Sequence, residues 1–132
     1  MSRLSLMECD PNKISTHGLA FVGDGVYDLI VREELVCQAN CHIKELNIRK
    51  VEMVRCQSQA ALAKRIESFL TEEEGNVLRR GRNAHVSHAP KNATMADYHM
   101  ATAFETLLGY LYLSGRIDRI RELLQLGQEN DK

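Results

Sequence analysis

The sequence predicts an all-α protein, and three observations carry that prediction. Apolar residues recur at helical spacing through most of the 132 residues. Capping and stop signals stand where those periodic segments begin and end. No stretch alternates apolar and polar residues in the manner of a half-buried strand, and no repeat interrupts the pattern. The length suits a single domain over residues 1–132, large enough to form a core without disulfide staples.

Residues 15–36 place Leu19, Val22, Val26, Leu29 and Ile30 on one stripe, with Ser15 or Thr16 available as the N-cap. Residues 42–69 repeat the pattern through Ile43, Leu46, Val51, Val54, Leu62, Ile66 and Phe69, with a break expected near Asn47. Thr71 and Glu74 have capping-box spacing, which predicts a short helix running to about Arg82. Residues 83–91 read as a loop ended by Pro90, which lacks a donor and restricts the residue before it. A long apolar helix is expected over residues 95–113, stopped by Ser114 and Gly115. Residues 116–126 close the pattern with Ile117, Ile120, Leu123 and Leu124 on one face.

Composition excludes several classes. A net charge of −1 argues against an indiscriminate nucleic-acid binder. No apolar run approaches the roughly 20 residues that cross a bilayer. The first residues, MSRLSLMECDPNK, lack the apolar core of a secretory signal. Cys9, Cys37, Cys41 and Cys56 are scattered through helical sequence, so the expected compartment is the reducing cytoplasm.

Two carboxylates stand out, Asp24 in LAFVGDGVYDLIV and Glu105 in TAFETLLGYLYL, each alone within an apolar helical run. A buried, unpaired carboxylate is costly unless a metal, a cation or hydrogen-bond donors hold it. Both are therefore expected to be buried and to be kept for chemistry. Gly23 and Gly25 flank Asp24, and Gly109 follows Glu105 by one turn. Mid-helix glycine costs about 0.5–1 kcal/mol relative to Ala, so these positions are expected to admit a helix, a metal or a phosphate. Asp28, one turn after Asp24, is an auxiliary candidate for a shared hydrated cation, but Arg32 at i+4 offers it an ordinary ion pair.

Charge is segregated along the chain. Between Glu74 and Asp97 no residue is acidic, while Arg79, Arg80, Arg82 and Lys91 are positive. Asn83, with His85 and His88 as weaker members, adds donors. A cationic segment of this kind suits a polyanion, though a solvated basic surface would look the same.

LAFVGDGVYDLIVRE and AFETLLGYLYLSG resemble the two acidic helices of the ribonuclease III family, and LTEEEGNVLRRGRNA with Pro90–Asn92 is similar to its short form, mini-ribonuclease III. The likeness spans about residues 17–113, with several segments in the right order. It implies a homodimeric, Mg²⁺-dependent endoribonuclease that cuts double-stranded RNA, Mn²⁺ being able to substitute. Asp24 and Glu105 fall on the catalytic and metal-binding positions of the two helices. Arg79, Arg80, Arg82, Asn83 and Lys91 would hold the RNA, since no separate double-stranded-RNA-binding domain is expected. The implied substrate is precursor large-subunit (23S) ribosomal RNA, with a large-subunit ribosomal protein as an aid.

Two departures bear on the metal. Longer members carry acids four residues before the first carboxylate and three before the second, where this chain has Ala20 and Thr102. Fewer direct ligands and more water-mediated coordination are expected, with the Thr102 hydroxyl as an auxiliary group. The same departures support a rival from another class, a non-catalytic double-stranded-RNA-binding or ribosome-assembly module on this fold. Retention of both Asp24 and Glu105 favours the enzyme.

Overall fold

The computed structural model describes residues 3–39, 41–85 and 91–129. Within them lie six α-helices: α1 (Thr16–Gln38), α2 (Ile43–Val54), α3 (Cys56–Ile66), α4 (Glu72–Arg82), α5 (Met95–Leu113) and α6 (Ile117–Glu129). Short 3₁₀ turns at Pro11–Lys13 and Glu67–Phe69 precede α1 and α4, and no strand occurs among the described residues. The all-α expectation holds.

The α5 helix is the axis of the fold because its sequence is apolar almost all the way round. Met100 to Phe104 and Thr106 to Leu111 are buried. Helices α1, α3 and α4 pack around it, α6 closes against α3 and α5, and α2 lies on α1. Tyr27 of α1 meets Phe104 edge-on, with ring centroids 5.1 Å apart and planes at 88°. That is the favoured arrangement for an aromatic pair.

Local signals place most boundaries. Ser15 Oγ accepts from Gly18 N at 3.0 Å and starts α1. Thr71 and Glu74 make both bonds of the capping box. After α5, Gly115 takes φ +75°, Gly115 N donates to Tyr112 O and Arg116 N donates to Leu111 O. This is the Schellman ending that the Ser114-Gly115 pair predicted.

The expected break near Asn47 lies instead at Arg55, which is extended (ψ 157°) between α2 and α3. No glycine or proline marks it. Two side chains of the next turn satisfy carbonyls at the end of α2: Ser58 Oγ donates to Glu52 O and Gln59 Nε2 to Val54 O, both at 2.8 Å.

The apolar stripe of α1 also differs. Its buried residues are Leu19, Ala20, Gly23, Tyr27, Val31 and Leu35. Val22, Val26, Leu29 and Ile30 instead line an open groove with Leu4, Tyr112 and Leu124, about 970 Å³ in volume. The helix has two apolar faces: one is buried in the core, and the other, where Val26 and Ile30 pack only partly against it, stays open. His88 and Pro90 lie outside the described residues.

Candidate active site

The site is built where α1 crosses α5. A Cβ on Gly23 would stand 1.7 Å from the Glu105 carbonyl oxygen, and one on Gly109 1.9 Å from that of Leu19. Each glycine therefore admits the other helix's backbone, closer than the usual ~8–10 Å axis separation would allow. Gly109 makes room for α1, not for a ligand beside Glu105 as the spacing suggested. A Cβ on Gly25 would meet nothing within 4 Å.

This crossing brings Asp24, next to Gly23, alongside Glu105. The two carboxyl groups lie close enough to influence each other electrostatically. Burial, with the neighbouring Asp24 carboxylate adding to it, pushes the Glu105 pKa up to about 8, while the Gln59 amide acts in the opposite direction. Desolvation and a like charge both disfavour the ionised form. Among the described residues, no arginine or lysine offsets these effects on Glu105. A buried carboxylate that does have a countercation, Glu74 against Arg119, lies elsewhere.

Asp24 itself is exposed, contrary to the expectation that both carboxylates are buried. It stands beside the stripe that packs on α5, and its neighbour Phe21 is 83% exposed. Glu105 is half-buried, so the pair spans the boundary between core and solvent. One carboxylate stands on an exposed residue and the other is partly withdrawn among the helices.

The remaining sequence candidates divide. Asp28 pairs with Arg32 at 2.5 Å and with Lys50 at 3.4 Å, and these cations lower its pKa against the opposing effect of burial, which is the largest single influence. Its carboxylate is engaged in an ordinary helix-surface ion pair. Thr102 is buried one turn before Glu105, and its carbonyl accepts from Thr106 Oγ1 at 2.7 Å. Ala20 is buried in the α1 stripe.

Arg79, Arg80 and Arg82 project from the last turn of α4, and Asn83 caps it. All four are exposed, as are His85 and Lys91. Arg79 Nη1 donates to Asn76 Oδ1, and Arg80 lines a shallow cleft with Asn12, Glu73 and Tyr110. Among the described residues these cations form no ion pair and make no contact with Asp24 or Glu105. Their charge remains directed to solvent.

Sequence reasoning missed Gln59. It is 3% exposed, lies beside Glu105 and has an Oε1 without a hydrogen-bond partner. The available signal was a lone amide on the apolar face formed by Ala60, Leu62, Ala63 and Ile66.

Two close carboxylates of unequal exposure, without a countercation, could hold a hard divalent cation. Carboxylate oxygens are the donors such ions prefer, and cation binding would remove the repulsion that now holds a proton on Glu105. No cluster of three or more acidic, His or Cys ligands occurs among the described residues. The arrangement therefore fits a cation that keeps much of its water.

Comparison with known proteins shows the family of the chain. The profile of the Ribonuclease III domain matches residues 17–116. A Mini-ribonuclease 3 of Thermoanaerobacter sp. (strain X514) is 44% identical over 108 residues, covering 82% of this chain and 76% of that protein. The Mini-ribonuclease 3 of Symbiobacterium thermophilum is 42% identical over 107 residues, covering 81% of this chain and 82% of its own. A crystal structure of a Fusobacterium nucleatum protein superposes with a TM-score of 0.82 at 27% identity, covering 91% of this chain and 96% of that one. The fold, the linked acidic helices and these relatives together show that the chain belongs to the ribonuclease III family, among its mini-ribonuclease 3 members.

Proposed function

We propose that this endoribonuclease hydrolyses phosphodiester bonds in double-stranded RNA with Mg²⁺ held by Asp24 and Glu105. The observation that carries the reading is their juxtaposition at the glycine-lined crossing, with no basic side chain between them. Mn²⁺ is expected to substitute, because both ions favour carboxylate and water oxygens. When bound, the cation would act as a Lewis acid on the scissile phosphate and lower the pKa of water.

The chain's own residues supply the rest. Exposed Asp24 can meet the cation directly, while half-buried Glu105 fixes the site against α5. With a cation held beside it, Glu105 would be ionised. Its carboxylate can then orient the attacking water and take up a proton. Thr102 stands one turn away as an auxiliary polar group.

The duplex is gripped by the catalytic domain itself, through Arg79, Arg80, Arg82, Asn83 and Lys91, with His85 and His88 as weaker contacts. Duplex RNA is read through its shape, phosphates and 2′-hydroxyls, for which exposed unpaired cations and amides are suitable. A homodimer would cover the groove lined by Val22, Val26, Leu29, Tyr112 and Leu124. It would also give one carboxylate pair for each RNA strand.

We further infer a substrate in precursor large-subunit (23S) ribosomal RNA, with a large-subunit ribosomal protein assisting. This finer assignment rests on the resemblance to mini-ribonuclease III. Its test is the appearance, on depletion of the protein from cells, of 23S precursors extended at both ends.

The principal test is cleavage of a labelled RNA duplex with and without Mg²⁺ by wild type, Asp24→Asn and Glu105→Gln. Metal-dependent cuts in both strands, lost in both variants while duplex binding persists, support the reading. Binding without cleavage under Mg²⁺ or Mn²⁺ would overturn it in favour of a scaffold. Equal cleavage by the variants would remove the assigned site.

A further inference from the structure

The turn that precedes α5 is held from outside by a side chain of another helix. Gln57, in the first turn of α3, donates from Nε2 to Asn92 O at 2.6 Å, across 35 residues of sequence. Asn92 has φ +67°, and among the described residues it alone of the non-glycines takes the left-handed region. Asn enters that region more readily than most residues. With this φ and a bonded carbonyl, the backbone on both sides of Asn92 has a defined course, and Lys91 is the residue it carries.

The α5 helix is secured without this bond. Thr94 Oγ1 accepts from Asp97 N at 3.1 Å and caps the helix. Lys64 of α3 pairs with Asp97 at 4.0 Å, and Met100 to Phe104 are buried in the core. All of these contacts lie at or after Thr94. The Gln57 bond grips the chain two residues earlier, next to Lys91. Ordering a glutamine side chain costs rotamer entropy comparable to what one exposed hydrogen bond returns, so the bond adds little to global stability. Its consequence is local, in where the turn stands.

That turn is the far end of the basic segment. The near end is the last turn of α4, where Arg79, Arg80 and Arg82 are exposed and Asn83 N donates to Arg79 O. Lys91 is exposed as well. A duplex presents its phosphates at fixed spacing, so a cation contributes most when its backbone is already in place before binding. Without the Gln57 bond, RNA would have to order the turn as well as engage it.

We propose that Gln57 is a positioning residue for duplex RNA, holding the Asn92 turn so that Lys91 meets the phosphate backbone together with the α4 arginines. This inference rests on the assignment of Lys91 to the RNA grip. It gives α3 a part in binding without placing an α3 side chain on the RNA.

The experiment measures binding of a labelled RNA duplex by fluorescence anisotropy in chelator, over a salt series. The proteins are wild type, Gln57→Met, Lys91→Ala and the double variant. Met matches the length of Gln and removes the donor without adding charge. Lys91→Ala should weaken binding and lower the salt slope of log K by about one. Gln57→Met should weaken binding about 2–10-fold, the range one hydrogen bond allows, and lose part of the same slope. In the double variant the Gln57 substitution should add nothing, because the residue it positions is gone. Wild-type affinity in Gln57→Met, with Lys91→Ala still weakened, would overturn the proposal and leave Lys91 in the grip. Additive losses in the double variant would also overturn it, since Gln57 would then act through another group. Full affinity in Lys91→Ala would remove Lys91 from the grip and the proposal with it.

Discussion

Gly23 of α1 lies directly against the backbone of Glu105 in α5, so closely that a Cβ would stand 1.7 Å from the Glu105 carbonyl oxygen. The contact sets the helix separation and, with it, the position of Asp24 relative to the Glu105 side chain. A single hydrogen in place of a methyl group thus decides how closely the two carboxylates approach.

Gly23→Ala should therefore cost stability and activity together. The new methyl meets rigid backbone, so the helices must separate, at about 2–3 kcal/mol or more. Better helix propensity returns only ~0.5–1 kcal/mol. Gly75 in α4 has open space around it and is the control. Gly75→Ala should gain roughly 0.5–1 kcal/mol in urea unfolding, by the same propensity effect without the clash.

Glu105 gives the metal-free protein a distinct pH dependence. Burial and Asp24 raise its pKa from 4.5 to about 8. The folded state therefore keeps a proton that the unfolded chain has already lost across this window. This contribution to stability is full below the unfolded value and disappears as pH rises through the folded one. Thermal unfolding in chelator should show the decline between pH 5 and 8, and Glu105→Gln should flatten it. Mn²⁺ affinity should rise over the same interval, with calorimetry in buffers of different ionisation heat showing proton release on binding.

Arg79, Arg80, Arg82 and Lys91 have no ion-pair partner among the described residues, which leaves their charge for phosphates. Alanine at any two should weaken duplex binding and reduce the salt slope of log K by about one per cation that touches a phosphate. Single-turnover cleavage at saturating enzyme should survive. A loss that saturation does not rescue would place these residues nearer the chemistry.

Glu74 and Arg119 provide a purely structural counterpart. Glu74 is 2% exposed and accepts from Arg119 Nε and Nη2, both at 2.8 Å, while closing the capping box of α4. Arg119 holds the Glu74 pKa below its usual range, with burial opposing. The resulting stability is present above the unfolded carboxylate value and is lost as pH falls through the lowered one. Arg119→Met strands a buried carboxylate and should cost about 3 kcal/mol in denaturant unfolding. Mn²⁺ binding by the folded fraction should be unchanged.

The groove along α1 predicts the assembly. Leu29→Asp places a charge among Val22, Val26, Tyr112 and Leu124, and is expected to convert a dimer to monomers in sedimentation. Double-strand cutting should fall with it. A monodisperse monomer in the wild type would remove the dimer from the proposed function.

The sequence alone determined what depends on local chemistry and spacing. Helical periodicity, the Thr71–Glu74 box and the Gly115 stop placed α4 and α5 to within a residue or so. Asp24 and Glu105 were visible because carboxylates are out of place in apolar runs. Only the tertiary structure decided what surrounds each face. A periodic stripe does not tell which of two apolar faces of α1 meets α5, so Asp24 proved exposed and Val22, Val26 and Leu29 came to line a groove. The Arg55 break carried no glycine or proline, since Ser58 and Gln59 satisfy the freed carbonyls through contacts formed only once the helices turn. Gln59 became legible when folding set its amide beside Glu105 and buried its oxygen without a donor. Local sequence fixes hydrogen-bonding capacity, whereas packing decides which groups are desolvated and which partners remain to satisfy them.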